Sequence, residues 1–124
     1  MSKMTVKHDC IEGSEFEDLN MAGTSFTNIN LSGSRFHDIN FSDVLFTAAQ
    51  IGGTTFKHIG PPPHGDGMQD RQRPVTFEEA MLCDSVFRHV DMTNVQIVEC
   101  DIAGMTIDGI LVTDLLEAWK KRSG

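Results

Sequence analysis

The chain has 124 residues, enough for one domain with its own core, and carries a formal net charge of −8. It has no run of eighteen apolar residues, which excludes a helical membrane span, and no basic stripe of the kind that binds a phosphate backbone, so direct nucleic-acid binding is not expected. The stretch from Met1 to His8 is too polar for a secretory signal, and the expected compartment is therefore the cytoplasm.

From Phe16 onward a large apolar residue recurs every five positions: Phe16, Met21, Phe26, Leu31, Phe36, Phe41, Phe46, Ile51 and Phe56, with the register beginning at Ile11. A helix would repeat at 3.6 residues and a strand at 2, so neither explains this period. A coil that turns one corner per unit does. The residues two before each large one are apolar or small as well, and the two sizes compensate. Ser14, Thr24, Ser34 and Thr54 precede Phe, whereas Leu19 and Ile29 precede Met and Leu. A close-packed interior requires that trade-off. Ile39 with Phe41, Val44 with Phe46 and Ala49 with Ile51 depart from it, and the pattern is partly a ten-residue one, Phe-x-x-Ile-Asn-apolar-x-Gly-Ser/Thr-x.

Asn20-Met21, Asn30-Leu31 and Asn40-Phe41 resemble the polar-then-central pair of the pentapeptide-repeat family, whose unit reads Ala-Asp/Asn-Leu-x-x with Leu or Phe at its centre. Glu15, Ser25, Arg35 and Leu45 depart from the polar position, and Ile or Leu often stands where the family has Ala. The resemblance covers both repeat blocks. It implies an all-β fold, a right-handed four-sided β-helix with four units per coil. On that plan residues twenty apart stack: Phe16, Phe36 and Phe56 in one core column, Phe26 and Phe46 in another. Coils would lie about 4.8 Å apart, with Gly, Asn, Ser and Asp at the corners.

The chain is read as one domain over 1–124. A first repeat block over 9–59 is followed by a Pro/Gly-rich loop over 60–75, which holds all four prolines and cannot continue a ladder. Pro62, His64, Asp66, Arg71 and Arg73 are its candidate recognition residues, since long loops in compact domains are usually functional or disordered. A second block over 76–112 resumes at Phe77 and runs through Leu82, Phe87, Met92, Ile97, Ile102 and Ile107 to Val112, with Phe87 continuing the core stacks. The two blocks together hold about sixteen to eighteen units, a rod of roughly 20 Å. Residues 113–122 read as a short helix, with Thr113 or Asp114 to cap it and Lys120, Lys121 and Arg122 at its C-terminus. Leu115, Leu116 and Trp119 would lie over the open edge of the last coil as a capping helix. The other use of that face is a homodimer contact, so the chain is expected to be a monomer or a homodimer.

Little in the sequence suggests chemistry. An odd number of cysteines, Cys10, Cys83 and Cys100, argues against a disulfide framework, and none has zinc-ligand spacing. His8, His37, His58, His64 and His89 form no close ligand pair, and Gly52-Gly53 lacks the strand-to-helix setting of a phosphate loop. No catalytic residue, metal or cofactor is expected. The sequence reads as a small non-enzymatic bacterial repeat protein, a rigid scaffold for an unknown protein partner. The family also includes acidic rods that imitate duplex DNA and bind DNA gyrase or topoisomerase, which is the alternative. Acids here are uneven, which counts against that alternative: Asp9, Glu12, Glu15, Glu17 and Asp18 crowd the start, only Asp38 and Asp43 fall between Leu19 and Ile59, and Glu78, Glu79, Asp84, Asp91, Glu99, Asp101 and Asp108 follow the loop.

Overall fold

Five residues make a corner when one of them takes a left-handed backbone, and the computed structural model shows that at every step. It describes residues 3–123; Met1, Ser2 and Gly124, the ends of the expected domain, lie outside the described residues. The chain divides into two units, Met1–Lys57 and His58–Gly124.

In the first unit the left-handed residues are His8, Gly13, Asp18, Gly23, Asn28, Gly33, Asp38, Asp43, Ala48 and Gly53, each two positions after a central residue or its equivalent. They alternate between two kinds of corner. Ser14, Thr24, Ser34, Val44 and Thr54 each donate a backbone N–H to the carbonyl three residues back, on Ile11, Met21, Leu31, Phe41 and Ile51, at 3.0 to 3.3 Å. With positive φ confined to the third of the four residues, these are type II turns. The intervening corners, at His8, Asp18, Asn28, Asp38 and Ala48, are bends without that bond. The conformational period is therefore ten residues, matching the ten-residue composite pattern in the sequence. A positive φ disfavours most side chains by roughly 1–2 kcal/mol, but Asn, Asp and His tolerate it better. That preference explains why the bend corners are almost all Asp, Asn or His.

A second device marks the turn corners. Asn20, Asn30 and Asn40 stand just before a central residue, and each Oδ1 accepts the N–H two residues on, from Ala22, Ser32 and Ser42 at 2.9 to 3.0 Å. The Ser32 hydroxyl donates to the same Asn30 oxygen at 2.7 Å. Such Asx turns hold the entry to the corner without help from distant residues.

Phe16, Phe26, Phe36, Phe46 and Phe56 are all exposed in the first unit, and Phe87 is exposed in the second. Close ring contacts join residues five apart, not twenty: Phe41 lies 5.7 Å from Phe36 and 5.8 Å from Phe46, centroid to centroid. The coil path is nonetheless visible. Val6–Glu12 and residues from Thr27 to Ser32, about twenty positions apart, line one cleft of about 1100 Å³. Successive passes of the chain thus stand apart across open space instead of forming a ladder. The hydrogen bonds that fix each corner lie within its own turn.

The second unit opens with the loop and resumes the same geometry. Left-handed residues return at Glu79, Asp84, His89, Asn94, Glu99 and Gly104. Type II turns close at Ser85, Val95 and Met105, and Asp91 and Asp101 take over the Asx role toward Thr93 and Ala103. The period then ends, earlier than the expected boundary at 112. Strand β1 (Thr106–Ile107) pairs antiparallel with β2 (Ile110–Leu111), with Ile107 opposite Ile110. Asp108 and Gly109 both have positive φ, as a two-residue type I′ hairpin demands, and Asp-Gly is the dipeptide that adopts it most readily. Ile107 and Ile110, expected as successive inward residues of the repeat, are instead cross-strand partners. The Val112 N–H donates to the Met105 carbonyl at 3.0 Å and extends the ladder by one bond.

Helix α1 (Val112–Ser123) follows without a break. Thr113 and Asp114 fall inside its first turn, not at its cap, where the Asp114 carboxylate meets the positive end of the helix dipole. Lys120, Lys121 and Arg122 occupy the last turn, and Lys121 pairs with Glu117 at 3.4 Å. Among the described residues no helix is long and apolar enough to cross a membrane.

Candidate functional site

Two places depart from the plain repeat: the proline loop and the C-terminal hairpin and helix. The loop is closed on itself. Gln69 Nε2 donates to the Pro61 carbonyl, the His64 N–H donates to Met68 O at 2.5 Å, and Gly67 N–H donates to His64 O at 2.9 Å. Asp66 Oδ1 accepts the Met68 N–H at 2.9 Å, another Asx turn, which fits the left-handed Gly67 that follows. The His64 Nε2 atom lies 3.1 Å from Asp70 Oδ1, an exposed pair. The result is a ring over residues 61–70 with Pro61 half-buried and Pro62, Pro63, His64 and Asp66 exposed on it.

Of the five candidate recognition residues, Pro62, His64 and Asp66 share this ring. Arg71 and Arg73 lie beyond it on the extended segment that leads into the second block, and both are exposed. Arg71 reaches the repeat electrostatically. Asp91 is held below the usual carboxylate range, chiefly because the Thr93 hydroxyl and N–H both donate to its Oδ1, at 2.5 and 3.0 Å, with the Arg71 charge adding a smaller effect in the same direction. Gln69 and Asp70, which close the ring, were not legible as site residues. Their signal is only that they follow a turn-forming Gly-Asp-Gly.

At the other end, Ile97, Cys100, Ile102, Met105, Ile107, Val112 and Leu116 line an apolar cavity of about 350 Å³, with Glu99 at its rim. Ile102, Met105 and Val112 are among the few half-buried residues of the chain. Val112 and Leu116, one helical turn apart, bring α1 onto the last turn of the repeat. Of the three residues assigned to the cap, Leu116 reaches this cavity, whereas Leu115 and Trp119 do not line it. Val112 keeps the five-residue step of the repeat, yet it opens the helix and lines the cavity. The Asp-Gly dipeptide between two isoleucines was the available signal.

The family model described as Pentapeptide repeats (8 copies) matches residues 12–48 and 24–58. Residues 12–58 are pentapeptide repeats. The match stops at the loop, but the left-handed corner every fifth residue and the alternating type II turns continue beyond it to Gly104, so the same unit builds both blocks. Repeats of this kind imply a β-helix fold and a repeat scaffold. No curated protein and no solved structure matches the chain.

Proposed function

We propose that this pentapeptide-repeat protein is a non-enzymatic scaffold whose corners draw together into a four-sided coil and whose proline loop presents a recognition surface to a protein partner. The ring over 61–70 is the observation that carries this reading: its internal hydrogen bonds gather exposed Pro62, His64 and Asp66 onto one closed loop outside the repeat.

Closure of the coil has separate support. The accessible surface is 13497 Å², about twice the roughly 6,600 Å² typical of a folded monomer of this size, and most of the large apolar side chains share it. Bringing successive passes together removes apolar area at about 25 cal/mol per Å². One interaction across twenty residues points that way: the Arg71 charge helps to hold the Asp91 carboxyl down. Three exposed, unpaired cysteines fit a reducing compartment such as the cytoplasm.

Affinity capture with the full chain and with a variant lacking residues 61–73 tests the scaffold reading. A partner lost with the loop is the expected result; an unchanged set of partners would overturn it. The second reading is gyrase or topoisomerase mimicry, through the acids that follow the loop, Glu78, Glu79, Asp84, Glu99 and Asp108 among them. Supercoiling that proceeds normally at micromolar protein would rule that out.

A further inference from the structure

The loop reading can be taken one step further, to the chemistry of the partner, and this step rests on that reading. Pro61, Pro62 and Pro63 are consecutive, and all peptide bonds among the described residues are trans. Each ring fixes φ near −65°, and a following proline forces the residue before it into the extended region. Pro61 and Pro62 are restricted on both sides and Pro63 on one, so the three make one turn of polyproline II by sterics alone.

A short proline run in a flexible loop would still have to be ordered on binding. Here both ends are tied. The Pro61 carbonyl is held by Gln69, and His64, next after the run, exchanges hydrogen bonds with Gly67 and Met68 while its ring pairs with Asp70. Pro62 and Pro63 remain exposed between those anchors. A rigid, exposed ridge without backbone N–H groups offers two things: ring faces for apolar contact and carbonyl oxygens to accept hydrogen bonds. Grooves lined by aromatic rings, with a Trp or Tyr donor at the edge, recognise that combination and use its low ordering cost.

We infer that Pro61–Pro63 is a preorganised polyproline II ligand, and that the loop's partner is a domain with an aromatic-lined groove. The test adds the unlabelled full chain to an isotope-labelled SH3 domain and, separately, a WW domain, and follows the groove residues by NMR. Saturable shifts confined to the aromatic groove of one of them are expected. Pro62→Ala with Pro63→Ala should weaken binding by more than about tenfold, and Gln69→Ala, which keeps the prolines but unties the ring, by a few-fold. Far-UV circular dichroism checks that the repeat is unaltered. Absence of groove shifts at millimolar protein, or equal binding by the double variant, overturns the inference. The scaffold reading fails separately, through captured partners that survive loss of residues 61–73.

Discussion

Neighbouring glycines in one turn should respond to the same substitution with opposite signs. Gly52 and Gly53 occupy the middle of the type II turn closed by Thr54 and Ile51. Gly53 has φ +77°, whereas Gly52 does not have a positive φ, and a methyl group added at either would meet no atom within 4 Å. Packing therefore drops out and only the backbone decides. Gly53→Ala places an L side chain in the left-handed region and should cost about 1–2 kcal/mol. Gly52→Ala fits its backbone and should stabilise by about 0.4–1 kcal/mol, by restricting the unfolded chain. Urea unfolding of the two variants should thus differ by roughly 1.5–3 kcal/mol, which is on the order of 1 M in midpoint at an ordinary denaturant slope. Midpoints that move in the same direction would refute the assignment of these corners.

Further predictions concern packing, the Asx turns and pH. Phe41 touches both Phe36 and Phe46 and is the least exposed of the three at 45 %. Phe41→Ala should therefore destabilise more than Phe46→Ala, by about 3–5 kcal/mol once the rings are buried in a closed coil, measured by the same unfolding experiment. Asn30→Ala removes the acceptor of two hydrogen bonds and should cost about 0.5–1.5 kcal/mol; Asn20→Ala, which removes one, should cost less. Asp91 has a lowered folded pKa, so its contribution to stability is present above the unfolded value and is lost as pH falls through the folded one. In an NMR titration Thr93→Val should move the Asp91 midpoint upward, since both the hydroxyl and the favourable turn are perturbed; an unmoved midpoint would assign the shift elsewhere.

The period of five, its ten-residue modulation and the family were legible because they are written in side-chain size and in the placement of Gly, Asn and Asp. The corners themselves could be read from the same residues, as Gly23, Gly33 and Gly53 show at turns and Asp18, Asn28 and Asp38 at bends. How near Phe16 comes to Phe36 and Phe56 is not written there, because a repeating pattern states which side chains resemble one another and not how closely successive passes approach. The hairpin at the end of the repeat shows a related limit of the pattern. Ile107 and Val112 keep the five-residue step, yet Asp108-Gly109 between apolar neighbours is a stronger local instruction, and the hairpin prevailed. In the loop, the prolines announced an interruption, but the ring depends on Gln69 reaching back eight residues to Pro61, which no local pattern encodes.

The alternation of turn and bend has a genetic consequence. Losing or duplicating five residues would place a bend sequence such as Thr27-Asn28 next to another bend and leave a hydrogen-bonded corner without its counterpart. Losing or duplicating ten preserves both kinds of corner and their Asn30-like anchors. Related chains should therefore differ in length by multiples of ten within a block.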